Sequence, residues 1–174
     1  MSVEFDFNGK VVLVTGSSSG IGADTAILFA RYGARVVVTG RRVDGVWGVS
    51  EECDRVSTLG VKALPVVMDV TKEEDMKGLV DKTIETFSQI DVLVNNAGFG
   101  ISGAITDLNY MNVFRSTFET NLSSVVYMTH LCAEHLSKTN ANIVNTSTVG
   151  ALIAVSIDVL INLMNSFKMH HAYF

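Results

Sequence analysis

Apolar and polar positions fall in short blocks along this chain, and two periods recur. The run Val11-Val12-Leu13-Val14 is apolar and rich in β-branched residues, which predicts a first strand over Lys10 to Thr15. Helical spacing follows. Ile21, Thr25, Leu28, Phe29 and Tyr32 fall on one predicted face, and Gly33 stops the helix. Arg35 to Thr39 reads as a second strand. Val46, Val49, Cys53 and Val56 form a stripe on a predicted helix over Asp44 to Leu59, with Gly45 and Gly48 each weakening it by about 1 kcal/mol. Lys62 to Met68 predicts a third strand and holds the only proline, Pro65, which suits a sheet edge.

The alternation continues beyond it. Thr71-Lys72-Glu73-Glu74 has the spacing of a capping box. The helix it opens carries Met76, Leu79, Val80, Ile84 and Phe87. Asp91 to Asn95 predicts a fourth strand. A long helix near Met111 to Leu136 aligns Phe114, Phe118, Asn121, Val125, Met128 and Cys132, and Asn142 to Ser147 predicts a fifth strand. Strands alternating with helices imply an α/β fold, a doubly wound parallel sheet with helices on both faces. Right-handed crossovers and a ligand loop after the first strand give the strand order 3-2-1-4-5. Pro65 then lies on an edge strand, as its missing N–H requires.

Composition narrows the function classes. The chain has 174 residues, enough for one domain with a core, and 48% hydrophobic against 18% charged residues describes a folded protein. Its net charge of −5 argues against general nucleic-acid binding. Cys53 and Cys132 have neither metal-ligand spacing nor a disulfide framework, so no metal site and a reducing, cytoplasmic setting are expected. No signal peptide or membrane span is expected either.

The sharpest chemistry is Thr15-Gly16-Ser17-Ser18-Ser19-Gly20-Ile21-Gly22, set between the first strand and the first helix. Gly16 can take positive φ, Gly20 lets backbone approach a ligand, and Gly22 removes a side chain where helix meets strand. The N–H groups opening the helix then face an anion, with the helix dipole behind them. A dinucleotide pyrophosphate is the ligand most often served by such a turn, and no lysine follows the last glycine, which excludes a Walker A loop. The second strand ends in Gly40-Arg41-Arg42. Two guanidiniums with no acid suit the 2′-phosphate of NADP, because arginine donates in a bidentate fork. A solvated pair of charges is the ordinary alternative, and Asp44 could still reach a ribose, so NAD stays open as the less favoured cofactor. Asp69 could accept from an adenine amino group or cap the loop before Thr71. Asn121 is either a buried amide bonded to neighbouring backbone or a holder of water or substrate. Ser147 and Thr148 close the fifth strand, where ligands sit in open α/β sheets, and either hydroxyl could hold a substrate carbonyl or cap a helix.

In order, TGSSSGIG (Thr15 to Gly22), Asp69, NNAG (Asn95 to Gly98), Asn121 and the strand Ile143-Val144-Asn145-Thr146-Ser147-Thr148 resemble the short-chain dehydrogenase/reductase family of the NADP-preferring kind. The resemblance covers about residues 5 to 150. It implies a Rossmann-like dinucleotide-binding domain over residues 1–150, lacking the family's last strands. It places Gly16, Ser18, Ser19, Gly20, Ile21, Gly22, Arg41, Arg42 and Asp69 at the cofactor. It places Asn95, Ala97 and Gly98 there too, in the motif that stabilises the sheet beside the cofactor. Asn121 matches the family's active-site asparagine, and Thr148, with Ser147 as neighbouring alternative, its substrate-orienting hydroxyl. The implied reaction moves hydride between NADP(H) and a carbonyl or alcohol carbon of a small molecule.

The family's catalytic tyrosine and lysine should fall near Ile161 and Asn165, where neither residue can do their work. Tyr173 is too far downstream. Over residues 151–174 the chain leaves the pattern. Leu152, Val155, Val159, Leu163 and Phe167 share one helical face, and Ile153, Ile157, Leu160 and Met164 fill another, which describes an apolar tail that must be buried or paired. A truncated form with little or no turnover is therefore expected. Self-association through the fifth strand or a homo-oligomer is expected with it. The alternative is a non-catalytic nucleotide-binding or pairing module, or an unstable truncated product.

Overall fold

The computed structural model describes residues 5–100 and 106–147. The fold is a five-stranded parallel sheet built from β1 (Val11–Val14), β2 (Arg35–Gly40), β3 (Leu64–Val67), β4 (Val92–Asn95) and β5 (Asn142–Asn145). The spatial order is β3-β2-β1-β4-β5, as the alternation and the crossover rule predict. The helices are α1 (Gly20–Arg31), α2 (Val43–Val56), α3 (Glu73–Phe87), α4 (Tyr110–Phe118) and α5 (Ser124–Thr139). The tail at 151–174 and the positions of Ile161, Asn165 and Tyr173 lie outside the described residues.

β1 explains the architecture. All four of its side chains are fully buried. Val11 and Leu13 join a cluster with Leu79, Val80, Met128 and Cys132 from α3 and α5. Val12 and Val14 point the other way, into a cluster with Ala26, Ala30, Val46 and Cys53 from α1 and α2. A strand covered on both faces has no polar side, which is why it reads as a continuous apolar run. Its register aligns Val14 with Val38 of β2 and with Val94 of β4, so three strand ends converge at the glycine turn. Pro65 lies in β3, which among the described residues pairs only with β2.

At the opposite end of the sheet, Asp91 accepts from the Val11 N–H (2.9 Å), Lys10 Nζ (2.9 Å) and Gln89 Nε2 (2.6 Å). Burial raises its pKa. These bonds and the Lys10 charge outweigh that and hold the carboxyl below its ordinary value.

Three expectations about the helices are corrected. The buried face of α1 is Gly22, Ala23, Ala26 and Ala30, not the stripe of larger residues. Ile21 is 71% and Leu28 50% exposed, Tyr32 is exposed too, and Phe29 is part-buried against Phe7. A helix leaving a glycine turn lies close to the sheet, and only small residues fit between. The capping box is absent. The Thr71 hydroxyl donates to Asp69 Oδ1 (2.9 Å), and Lys72 stands at the N-cap without a side-chain bond. The long helix is not uniform: a π-helical turn, Glu119–Ser123, separates α4 from α5. The extra residue shifts the buried stripe from Thr117 to Ser124 and Val125.

Candidate functional site

All five strand exits meet in a cleft of about 620 Å³ at the carboxyl end of the sheet. The glycine turn forms its floor. Gly16 has φ +66°, and a Cβ there would stand 2.7 Å from Ala97 Cα. Gly20 has φ +58°. A Cβ at Gly22 would stand 2.6 Å from the Gly16 carbonyl oxygen and would also strike the Asn96 amide. The turn is thus closed by backbone on backbone, with no room for a side chain at 16 or 22. Ser19 is the extended N-cap of α1 and supplies no side-chain cap. The first N–H groups of a helix have no partner within it, so this end is suited to an anion.

Hydroxyls hold the turn from below. Thr15 Oγ1 accepts from the N–H groups of Asn96 (3.0 Å) and Ala97 (3.1 Å). Asn96 Nδ2 in turn donates to the carbonyls of Thr15 (3.0 Å) and Gly16 (3.2 Å). The β4 exit is therefore laced to the β1 exit.

The β2 exit brings Gly40, Arg41 and Arg42 to the rim. A Cβ at Gly40 would lie 2.6 Å from Ser18 Cβ, and one at Gly45 would lie 2.8 Å from the Ser18 carbonyl oxygen. Ser18 is seated in the space these two glycines leave. Asp69 accepts from Thr71 N–H (3.0 Å) and Thr71 Oγ1 (2.9 Å), the loop-capping role. Burial raises its pKa, but the Thr71 bonds, then the charges of Arg41 and Lys72, leave the carboxyl below its ordinary value. The carboxylate stays charged near Arg41.

The fourth wall is the π-helical turn. It turns Asn121 toward the 98–100 segment, where Oδ1 accepts from Phe99 N–H (3.0 Å) and Nδ2 donates to Phe99 carbonyl (2.7 Å). Of the two readings of Asn121, the backbone-bonded amide is the one seen, and it sits in the cleft wall.

Most sequence-predicted residues come together here. Gly16, Ser18, Ser19, Ile21, Gly22, Arg41, Arg42, Asp69, Ala97, Gly98, Asn121 and Ser147 line the cleft. Gly20 shapes the turn without lining it. Asn95 lies beneath, 1% exposed, and its amide donates to Asn145 Oδ1 (2.9 Å) and Thr129 Oγ1 (3.3 Å), tying β4 to β5 and α5. Thr148 lies outside the described residues. Asn96, Phe99 and Thr120 also line the cleft and were not singled out. Asn96 was legible as the second asparagine of NNAG; Thr120 reaches the wall only through the π-helical turn. Burial pushes both Cys53 and Cys132 up to about 12, with nearby acids adding at Cys53, so neither is a thiolate nucleophile. Among the described residues no His, Cys, Asp and Glu cluster could hold a metal, and no helix is long and apolar enough to cross a membrane.

The short chain dehydrogenase family matches this chain over residues 10–159. An 11-beta-hydroxysteroid dehydrogenase of Pinus massoniana is 38% identical over 149 residues, which are 84% of this chain and 41% of that protein. The L-fucose dehydrogenase of Bos taurus is 35% identical over 153 residues, 87% of this chain and 54% of its own length. A 7α-hydroxysteroid dehydrogenase solved with NADH and 7-oxo glycochenodeoxycholic acid superposes with a TM-score of 0.88 at 28% identity, covering 98% of this chain and 65% of that one. The chain thus spans about half the length of the curated relatives it matches.

Proposed function

The chain belongs to the short-chain dehydrogenase family of oxidoreductases, and from that membership we propose that its cleft binds a nicotinamide dinucleotide, NADP(H) in preference to NAD(H). The observation that carries the reading is the pairing of an uncapped helix N-terminus over a turn that admits no side chain at Gly16 or Gly22 with Arg41 and Arg42 at the β2 exit. The turn and the first N–H groups of α1 hold the pyrophosphate. Arg41 and Arg42 take the 2′-phosphate. The 98–100 segment, fixed by Asn121, walls the nicotinamide end. When bound, the dinucleotide supplies or takes up a hydride.

The substrate is a small alcohol or carbonyl compound, held by the hydroxyls of Ser147 and Thr148. The chain itself carries Ile161 and Asn165 where the resemblance places the tyrosine and lysine. We therefore assign the 174-residue chain little or no turnover, because isoleucine has no proton to give and asparagine has no charge to tune one. That feature favours a second reading, a nucleotide-binding module without catalysis. Unpaired, buried Cys53 and Cys132 support a reducing compartment such as the cytoplasm.

Titration of NADP(H) and NAD(H), read by the fluorescence of Trp47, the single tryptophan, tests the binding. Arg41→Ala should weaken NADP binding by about 1–3 kcal/mol, the worth of a charge-assisted contact, and spare NAD. Equal losses for both would remove the 2′-phosphate assignment. NADPH oxidation with carbonyl substrates at rates typical of enzymes would refute the assignment of low turnover.

A further inference from the structure

Beneath the cleft, two buried hydroxyls join the glycine turn to β2. Ser17 Oγ donates to the Val14 carbonyl (2.8 Å) and accepts from the Thr39 N–H (2.8 Å). Thr39 Oγ1 donates to the same Val14 carbonyl (3.1 Å) and accepts from the Gly16 N–H (3.2 Å). Both residues are 0% exposed. Each hydroxyl gives its single proton to one carbonyl and accepts one N–H, so the clasp is closed. It spans two elements that touch different parts of a dinucleotide. On one side is Gly16, the first residue of the turn. On the other, Thr39 is followed directly by Gly40, Arg41 and Arg42. Ser18, next to Ser17, rests on Gly40, so clasp and contact fix the same junction.

We infer that Ser17 and Thr39 are positioning residues that set the distance between the pyrophosphate turn and the Arg41-Arg42 arm, and so the preference between phosphorylated and unphosphorylated riboses. The inference rests on the proposed dinucleotide binding. Neither hydroxyl can touch the ligand, because both lie beneath the backbone that would. Losing one leaves an N–H without its partner, the buried one of Thr39 or the part-buried one of Gly16. The turn and the arm then shift relative to each other to satisfy it. A ligand held at both points feels that shift more than one held at the turn alone.

The test compares NADP and NAD affinities in wild type, Thr39→Val and Thr39→Ser. Valine keeps the β-branched shape and removes the hydroxyl; serine keeps the hydroxyl. Thr39→Val should lower NADP affinity about tenfold, as the loss of the hydroxyl's two hydrogen bonds would, and move the NADP-to-NAD ratio toward that of Arg41→Ala. Thr39→Ser should keep both near wild type. If Thr39→Val does not fold, Ser17→Ala makes the same comparison from the side of the turn. An unchanged ratio overturns the inference, whether affinity is kept or falls equally for both ligands, since a merely structural role weakens both alike. A wild type that binds neither dinucleotide, or both equally, overturns the proposed function first and this inference with it.

Discussion

Adding one methyl group at different glycines separates two physical demands that the turn makes. Gly20 has φ +58° and open space around the added Cβ, so Gly20→Ala carries only the left-handed strain, about 1–2 kcal/mol. Gly16 has φ +66° and the Ala97 Cα at 2.7 Å from the added carbon. Backbone cannot swing aside as a side chain can, so overpacking of about 1–3 kcal/mol joins the strain, and Gly16→Ala should cost about 2–5 kcal/mol. Gly22 lacks the positive φ and meets the Gly16 oxygen at 2.6 Å. Its overpacking is offset by about 1 kcal/mol of helix propensity, so Gly22→Ala should fall between no loss and about 2 kcal/mol. Gly48 and Gly78 are exposed, helical and open, and alanine there should stabilise by about 0.5–1 kcal/mol. Urea unfolding at constant m-value ranks the five variants. If Gly16→Ala costs no more than Gly20→Ala, the close approach of turn and NNAG segment is wrong, and with it the argument that backbone closes the cleft floor.

Asp91 makes acid stability a second test. Its folded pKa lies below the unfolded one, so its contribution is complete above the unfolded value, about 3.9, and is lost as pH falls through the folded value. Asp91→Asn should cost about 2–3 kcal/mol at pH 7, and the gap to wild type should narrow as pH falls below the unfolded value of about 3.9; a gap independent of pH in urea melts would exclude the ion pair as its source. Asn121→Ala should cost about 1–3 kcal/mol by freeing both backbone groups of Phe99, and hydrogen exchange should show the Phe99 amide losing protection. Unchanged exchange there would contradict the wall assigned to Asn121.

What the sequence revealed depended on whether the relevant force is local. β1 was legible because burial on both faces leaves only one composition, and Pro65 because a missing N–H has few tolerated places. The face of α1 was not, because the pattern ranks residues by hydrophobicity, whereas the close approach to the sheet selects by volume. Ala23, Ala26 and Ala30 win over Ile21 and Leu28 for that reason. The capping box failed at Thr71 because the helix opens one residue later, with Lys72 at its N-cap, and Thr71 is left in the preceding loop bonded to Asp69. In the site, Gly16 and Gly22 were readable from motif spacing, but the bond from Asn121 to Phe99 joins residues 22 apart through a π-helical turn that no helical period announces.

The placement of β1 at the middle of the sheet has a consequence for the growing chain. β1 is made early and finds β2 within about two dozen residues, while its other flank waits for β4, with Val12 pairing Val92. At about 5–20 residues per second, the ribosome needs roughly 4–16 seconds to deliver that partner. Throughout that time an all-apolar strand edge stands bare beside the exit tunnel, a natural target for a chaperone. Synthesis speed between Val12 and Val92 therefore governs how long this protein is at risk of wrong pairing before its core can close.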